Sequence, residues 1–193
     1  MRQCSSAARA LFVGRFQPFH YGHLSALKWI LEREREVVVA VGSAQYSHSF
    51  KNPFTLGERL EMIAAALKEE GLWSRVIPVG VPDTDGRHSL WVQLVISYSP
   101  RFTRVYTNEP LTRMLFEEAG YEVRGIPFFK RELYEGTRIR RLIAQGGNWE
   151  RLVPPAVARL IKEVGGVERL RRLWEMDQEK KARGGGARPT PPL

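Results

Sequence analysis

The chain has 193 residues and a formal charge of +9, with 43% hydrophobic and 26% charged residues. This length suits one domain with a sizeable core, and the composition is ordinary for a globular protein. No apolar run reaches the roughly 20 residues that cross a bilayer, and residues 1–10 lack the apolar stretch of a secretory signal, so neither a membrane span nor export is expected. The single cysteine, Cys4, cannot form an internal disulfide, which fits a reducing, cytoplasmic setting. The positive charge favours anionic partners without choosing among nucleic acid, anionic lipid and phosphorylated metabolites.

Strands and helices alternate along most of the chain. Short apolar runs predict buried strands at residues 10–13, 37–41, 76–79, 104–106 and 121–123. The helical spacing of apolar residues predicts helices between them, at residues 22–31, 55–71, 89–98 and 111–118. Thr55 and Glu58 match the capping box that opens a helix. This alternation implies an α/β fold, a Rossmann-like doubly wound parallel sheet of about five strands.

A small helical extension is expected after the last strand. Helices are predicted at residues 137–145, 154–164 and 167–175. The chain then divides into an N-terminal arm (1–9), one domain that includes these helices (10–176), and a basic, glycine- and proline-rich tail (177–193). We expect the tail to be disordered, because it has little to bury. Deleting residues 180–193 should then leave the function of the protein unchanged.

The loop from the first strand to the first helix, residues 14–23, carries the strongest chemical signal. Gly14 and Gly22 allow the backbone to approach a ligand closely. His20 and His23 are three residues apart, so both imidazoles can face one anion if the helix begins beside them. Phosphate binding at a helix start is the favoured interpretation. Plain turn glycines with polar histidines, or a two-histidine metal site, are the alternatives.

A second basic segment opens the helix predicted at 137–145. Thr137 fits an N-cap, which would place Arg138, Arg140 and Arg141 in the first turn. The helix dipole already presents positive charge there, so the arginines cost stability unless a polyanion docks on them. A solvated basic face is the alternative.

Both segments resemble motifs of the nucleotidylyltransferase superfamily. Residues 14–23 are similar to its H-x-G-H motif, and residues 136–140 to its later S/T-x-x-R element. A longer, collinear resemblance, from Leu11 to Leu173, is to the archaeal-type nicotinamide mononucleotide (NMN) adenylyltransferase family. It is carried also by residues 43–49, 52–59, 81–83, 90–92 and 106–111.

That resemblance implies the reaction of ATP with NMN to give NAD and diphosphate. Mg²⁺ would assist, held mainly by the ATP phosphates, and no covalent enzyme intermediate would form. The catalytic residues that it implies are His20, His23, Arg15 and Arg140. The ATP-binding residues that it implies are Gly14, Phe16, Gly22, Lys51, Gly136, Thr137 and Arg138. The NMN- or NAD-binding residues that it implies are Ser43, Asp83, Trp91 and Asn108.

Three places depart from that family's pattern. Lys51 stands where arginine is common, Gly136 stands where the wider superfamily usually has serine, and residues 84–88 match poorly. A lysine offers a point charge in place of a bidentate grip on phosphate. Trp91 and Asp83 also have ordinary alternatives, a core tryptophan and a turn-forming aspartate.

Other functions stay open as alternatives. A pantetheine-phosphate adenylyltransferase or a cytidylyltransferase would share the histidine loop. A protein like a class I aminoacyl-tRNA synthetase, or a non-catalytic nucleotide-binding protein, would share less of the pattern. Nucleic acid is not an expected partner, because aromatic-rich RNA-binding modules are absent from the sequence. The resemblance implies a homo-oligomer, often a hexamer in archaeal members, and leaves the choice between NMN and nicotinic acid mononucleotide open.

Overall fold

A computed structural model of the chain describes residues 9–129 and 132–184, with side chains described as far as residue 182. The strands are β1 (Arg9–Gly14), β2 (Glu36–Val41), β3 (Val76–Gly80), β4 (Arg104–Tyr106) and β5 (Glu122–Arg124). The α-helices are α1 (Tyr21–Leu31), α2 (Leu56–Glu69), α3 (Trp91–Tyr98), α4 (Pro110–Glu118), α5 (Gly136–Ala144), α6 (Pro155–Glu163) and α7 (Gly166–Gly184).

The five strands form one parallel sheet in the order β3-β2-β1-β4-β5. Alternate residues of the central strand β1 enter two separate cores, because successive side chains of a strand point to opposite faces. Phe12 packs with α1, α2 and the C-terminal helices, whereas Leu11 packs with α3 and α4. Helices therefore cover both faces, which confirms the predicted doubly wound α/β sheet.

The strand order places a ligand-binding crevice beside β1. The chain runs outward from β1 through β2 to β3, and then returns to β4 on the other side of β1. At such a reversal the connections leave the carboxyl ends of the two strands in opposite directions, and a crevice opens between them. The loops after Gly14 and Tyr106 border this crevice.

Two predictions about helix ends are wrong. The helix predicted to stop near residue 175 continues to Gly184, so residues 177–184 of the expected tail are helical. Good helix formers and an ion pair between Lys181 Nζ and Asp177 Oδ2, at 2.7 Å and i,i+4 spacing, favour this extension. The rest of the tail, residues 185–193, and arm residues 1–8 with Cys4 lie outside the described residues.

The second wrong helix end is the start of α5. Its N-cap is Glu135, so Thr137 lies within the first turn. The Thr137 hydroxyl accepts a hydrogen bond from Arg140 Nη2 at 3.1 Å in place of capping the helix. Of the three arginines, only Arg138 lies in the first turn, and Arg141 lies in the last.

The capping box of α2 is confirmed. Thr55 Oγ1 accepts from the Glu58 amide at 3.2 Å, and Glu58 Oε2 accepts from the Thr55 amide at 2.8 Å. Among the described helices none is both long and apolar enough to cross a membrane.

Candidate functional site

Three adjoining clefts lie at the carboxyl ends of β1, β2 and β4. The histidine cleft has a volume of about 520 Å³ and contains His20 and His23. The tryptophan cleft, of about 460 Å³, contains Trp91 and Asp83. The basic cleft, of about 440 Å³, contains Arg140. The first two share Val13, Thr107 and Glu109, and the last two share Arg15 and Lys51.

The two histidines cap the start of α1 for one another. His20 is the N-cap, and its Nδ1 accepts from the His23 amide at 3.3 Å. His23 Nδ1 in turn accepts from the His20 amide at 3.4 Å. Their rings stack with centroids 3.5 Å apart. Because each Nδ1 is an acceptor, the proton of each neutral ring is on Nε2, which leaves one N–H donor per ring for a ligand.

Both imidazoles are neutral in the free protein. Burial, with a smaller contribution from Arg140, lowers the pKa of His20 from 6.5 to about 3. Burial, followed by the neighbouring His20, also lowers the pKa of His23 well below its ordinary value. The histidines therefore offer phosphate two neutral N–H donors at the positive end of a helix, and no imidazolium charge.

This neutral state predicts how stability depends on pH. An unfolded chain protonates His20 below its ordinary pKa of 6.5, whereas the folded chain resists protonation until about pH 3. The unfolded state therefore binds more protons, and the contribution of His20 to stability is present above pH 6.5 and is lost as pH falls towards 3. Between about pH 7 and 5, the free energy of unfolding should fall more steeply in the unmodified chain than in a His20→Asn variant. Guanidinium titrations at each pH measure this, and equal slopes would contradict a neutral His20.

The basic cleft concentrates positive charge, most of which no described ion pair neutralises. The Arg140 side chain is buried, and its Nη1 donates to the Gln17 carbonyl oxygen at 2.8 Å. Burial, and then the charge of Arg15, lower the pKa of Arg140 to about 10. Arg15, Lys51 and Arg140 form no salt bridge among the described residues. A bound polyanion would offset the unfavourable free energy of burying these cations and placing them close together.

Arg59, which sequence reasoning missed, fixes the loops around the basic cleft. It is fully buried. Its Nη1 donates to the carbonyl oxygens of Arg15 and Gly42 at 3.0 and 2.8 Å, and its Nη2 to that of Ser43 at 3.1 Å. The loops after β1 and β2 are thereby joined through one guanidinium. Its position on the apolar face of α2, three residues before the buried Met62, was the available signal.

Gln17 supplies a second link between these loops. Its side-chain amide pairs with the Phe54 backbone, donating to the carbonyl oxygen at 2.9 Å and accepting from the amide at 3.0 Å. Gln17 and Phe54 are both buried. The segment that carries Lys51 is therefore attached to the histidine loop.

Close packing favours glycine at the glycine positions of the motifs, most strongly at Gly14 and Gly22. A Cβ on Gly14 would lie 2.8 Å from the Phe16 ring, and one on Gly22 would lie 2.8 Å from Tyr134 Cβ. A Cβ on Gly136 would lie 3.2 Å from Arg140 Nη1. Phe16 itself is buried with φ of 51°, so its ring belongs to the core beneath His23, with ring centroids 4.7 Å apart. Only the backbone of Phe16 is left to meet a nucleotide.

Ser43, Asp83 and Trp91 come together in the tryptophan cleft. The Ser43 hydroxyl donates to Asp83 Oδ2 at 3.2 Å. Gln45 holds the Asp83 backbone, accepting from its amide at 2.8 Å and donating to its carbonyl oxygen at 3.0 Å. Trp91 is half-buried and packs edge-on against Phe116, with centroids 5.7 Å apart. Its indole therefore belongs partly to the core and partly to the cleft wall.

Two predicted site residues do not line the cleft that holds the other residues of their predicted set. Asn108 lines the histidine cleft, and its amide bonds both backbone groups of Ile126, at 2.6 and 2.9 Å. Asn108 does not line the tryptophan cleft, which contains Ser43 and Trp91. Arg138 is exposed, and its Nη1 donates to the Glu132 carbonyl oxygen instead of lining the basic cleft.

An apolar wall of the histidine cleft was missed from sequence. It follows β5 and consists of Ile126, Pro127, Phe128 and Phe129, with Tyr134 beyond. Phe128 is 65% exposed, the largest exposed fraction among the large apolar side chains that the structure describes. An apolar run directly after the carboxyl end of a strand was the available signal. Rings and aliphatic groups of this kind suit the flat face of a nucleobase.

The described residues contain no group of three or more His, Cys, Asp or Glu side chains placed to hold a metal ion.

Comparison with known proteins supports nucleotide chemistry. The cytidylyltransferase-like family matches residues 11–142. The nicotinamide-nucleotide adenylyltransferase of Methanothrix thermoacetophila is 49% identical over 169 residues, which cover 88% of this chain and 98% of that protein. The enzyme of the same name from Ignicoccus hospitalis is 53% identical over 171 residues, with 88% and 99% covered.

A solved structure shares the fold. It is a bifunctional NMN adenylyltransferase/ADP ribose pyrophosphatase from Francisella tularensis, crystallised with AMP and a manganese ion. It matches with a TM-score of 0.77 and 20% identity over 96% of this chain, which spans 58% of that longer protein.

Proposed function

The chain belongs to the cytidylyltransferase-like family and to the group of nicotinamide-nucleotide adenylyltransferases within it, and on this premise we propose that it joins ATP and NMN into NAD and diphosphate. The observation that carries the proposal is the succession of three clefts that meet beside β1. An apolar cleft for a nucleobase, a basic cleft for phosphates and a cleft lined by an indole are the three environments that this reaction needs. The identity of the acceptor comes from the relatives' names.

The phosphate oxygen of NMN attacks the α-phosphorus of ATP, and the bond to the β-phosphate oxygen breaks to release diphosphate. The histidine pair supports a direct attack. Since Nδ1 of both His20 and His23 accepts a backbone hydrogen bond, each neutral ring has only its Nε2–H left, which donates and cannot act as a nucleophile. The rings therefore stabilise negative charge on the reacting phosphates, as oxyanion donors do.

Arg15, Lys51 and Arg140 are proposed to bind the β- and γ-phosphates. Arg15 and Lys51 line both the tryptophan cleft and the basic cleft, so they lie where the phosphate of NMN and the departing diphosphate would meet. Positioning and electrostatic stabilisation account for most of the catalysis of such transfers. Gly14, Gly22, Gly136 and Thr137 would shape the surface on which the triphosphate lies.

The nicotinamide ribose is proposed to occupy the tryptophan cleft. Trp91 offers its indole face to the ring, while Ser43 and Asp83 offer polar contacts. Asn108 would act indirectly, by fixing the backbone of Ile126 in the wall of the adenosine side.

Mg²⁺ is proposed to enter with ATP, held mainly by the ATP phosphates, and would neutralise charge on the departing diphosphate. We also propose that the chain works in the cytoplasm, where ATP and NMN are available, as a homo-oligomer. These properties are implied by the resemblance of the sequence to the NMN adenylyltransferase family.

The full chain, incubated with ATP, NMN and Mg²⁺, is expected to form NAD and diphosphate in equal amounts. Chromatography of the nucleotides and a diphosphate assay measure the two products. Parallel reactions with CTP in place of ATP, and with phosphopantetheine in place of NMN, are the controls, and both should be much slower. Turnover of phosphopantetheine without NAD formation would reject the proposed acceptor.

A further inference from the structure

The basic cleft has a wall that belongs to none of the motifs. Its lining includes Trp174, Asp177 and Lys181, all on helix α7. This helix follows the segment matched by the cytidylyltransferase-like family, which ends at residue 142. Residues 177–184 of this helix belong to the segment that the sequence predicts to be a disordered tail.

Helix α7 is held firmly against the loop that carries Lys51. Arg169 Nη1 and Nη2 form a bidentate ion pair with Glu58, at 2.7 and 2.8 Å, and Nη1 also donates to the Pro53 carbonyl oxygen at 3.2 Å. Further along the helix, Trp174 packs against Phe50, with ring centroids 5.0 Å apart. The helix and the loop therefore form one wall, and Lys181 lies about two turns beyond Trp174 on the same helix.

The cleft has a large excess of positive charge. Its cations are Arg15, Lys51, Arg140, Arg141 and Lys181, and its only carboxylate among the described lining residues is Asp177. Lys181 pairs with Asp177 at 2.7 Å, whereas the other four cations have no ion pair in the described part of the chain. Four unpaired cations around a cleft of about 440 Å³ suit a polyanion such as the terminal phosphates of ATP.

We propose that Lys181 is a further substrate-binding residue, which contacts the terminal phosphates of ATP and the diphosphate product from α7. This inference rests on the proposed function for the identity of the polyanion. Asp177 holds the ammonium at the cleft in the free protein, and the lysine stem, which is largely exposed, can turn towards the phosphates when they bind. The helix that was expected to begin a dispensable tail thus completes the phosphate site.

Binding of inorganic diphosphate to the full chain, measured by titration calorimetry at low salt, tests the proposal without requiring turnover. Lys181→Ala should weaken binding by about 3- to 10-fold, as for loss of one charge-assisted contact near the surface. Lys180→Ala is the matched control, since its neighbour Lys180 has the same charge but does not line the cleft, and it should bind within about 2-fold of the unmodified chain. Lys181→Arg should retain most of the affinity.

A double variant separates direct contact from simple neutralisation of Asp177. If Lys181 contacts phosphate, Asp177→Asn with Lys181→Ala should still bind diphosphate more weakly than Asp177→Asn alone. If the double variant binds as tightly as Asp177→Asn alone, Lys181 only screens Asp177 and the proposal is wrong. Equal binding by Lys181→Ala and Lys180→Ala would also overturn it.

Steady-state kinetics gives a second readout. Lys181→Ala should raise KM for ATP by a similar factor and leave KM for NMN unchanged, because the residue lies in the basic cleft and not in the tryptophan cleft. Failure of the proposed function is distinguishable from failure of this inference. If the chain makes no NAD but substitution of Lys181 still weakens diphosphate binding, the inference about Lys181 stands and the proposed reaction is wrong.

Discussion

A His20→Asn variant is expected to keep the fold and lose roughly 10²- to 10³-fold in kcat, as for removal of one donor that stabilises a transition-state oxyanion. Asparagine is among the best N-cap residues, so its side-chain oxygen can accept the His23 amide that His20 Nδ1 now accepts. It does not place an N–H where Nε2 of the imidazole lies. The substitution thus separates the two roles of His20, which caps α1 through Nδ1 and binds phosphate through Nε2.

Two further variants test that separation. His20→Ala removes both roles, so it should lose as much kcat as His20→Asn and also about 1 kcal/mol of stability. Thr55→Ala removes the equivalent cap of α2, whose capping box has the same reciprocal geometry, so it should lose similar stability and keep its kcat. Urea titrations and initial rates of NAD formation measure the two quantities. A large fall of kcat in Thr55→Ala would mean that helix capping alone accounts for the effect in His20.

The sequence predicted the sheet well because burial on both faces of a parallel strand leaves a short, unbroken apolar run. The run Val37–Val41 shows this, and β2 covers it as Glu36–Val41. The capping box at Thr55 and Glu58 was also predictable, since it depends on two residues at a fixed spacing. Local signals of this kind survive folding because few distant contacts compete with them.

The chemical state of the site was less predictable, because it depends on contacts between distant segments. Nothing in a His-x-x-His spacing specifies that both Nδ1 atoms accept backbone hydrogen bonds, or that burial keeps the rings neutral. The end of α7 was predicted wrongly because a charged, helix-forming stretch with little apolar surface resembles a disordered tail. Its contact with the loop of Phe50 and Lys51, more than 120 residues earlier in the chain, became visible only in the folded chain.

The contacts of Arg59 with distant segments were likewise not predictable from the sequence. Its replacement by methionine is expected to have the largest effect on stability. The guanidinium donates to the carbonyl oxygens of Arg15, Gly42 and Ser43, and Nε also donates to that of Thr55 at 3.3 Å. Methionine fills much of the volume but makes none of these bonds. Several buried carbonyl groups would lose their partners at about 1–3 kcal/mol each, partly relieved by water, so we expect a total loss of about 3–5 kcal/mol.

The same substitution should also impair substrate binding, because the carbonyl groups that Arg59 holds belong to the residues that line the clefts. When the loops after β1 and β2 are no longer joined, Arg15 and Ser43 lose their fixed positions, and KM should rise for both ATP and NMN. Lysine in place of Arg59 would not keep the two loops joined, because one ammonium cannot span oxygens on two separate loops. Chemical denaturation and initial rates, both at a temperature where the variant is folded, measure the two effects.

Arg75 provides a matched control at the other end of the sheet. Its guanidinium also joins backbone carbonyl groups, donating to those of Leu31, Glu34 and Arg35 at 2.6, 2.9 and 3.0 Å. These groups belong to the last residue of α1 and the loop before β2, at the amino end of the strands and away from the three clefts. Arg75→Met should therefore lower stability and leave both KM values unchanged. If Arg59→Met behaves in the same way, the guanidinium only supports the fold. A rise of KM in Arg59→Met alone would show that this buried cation, which touches no substrate, sets the spacing of the loops on which the phosphates and the nicotinamide nucleotide bind.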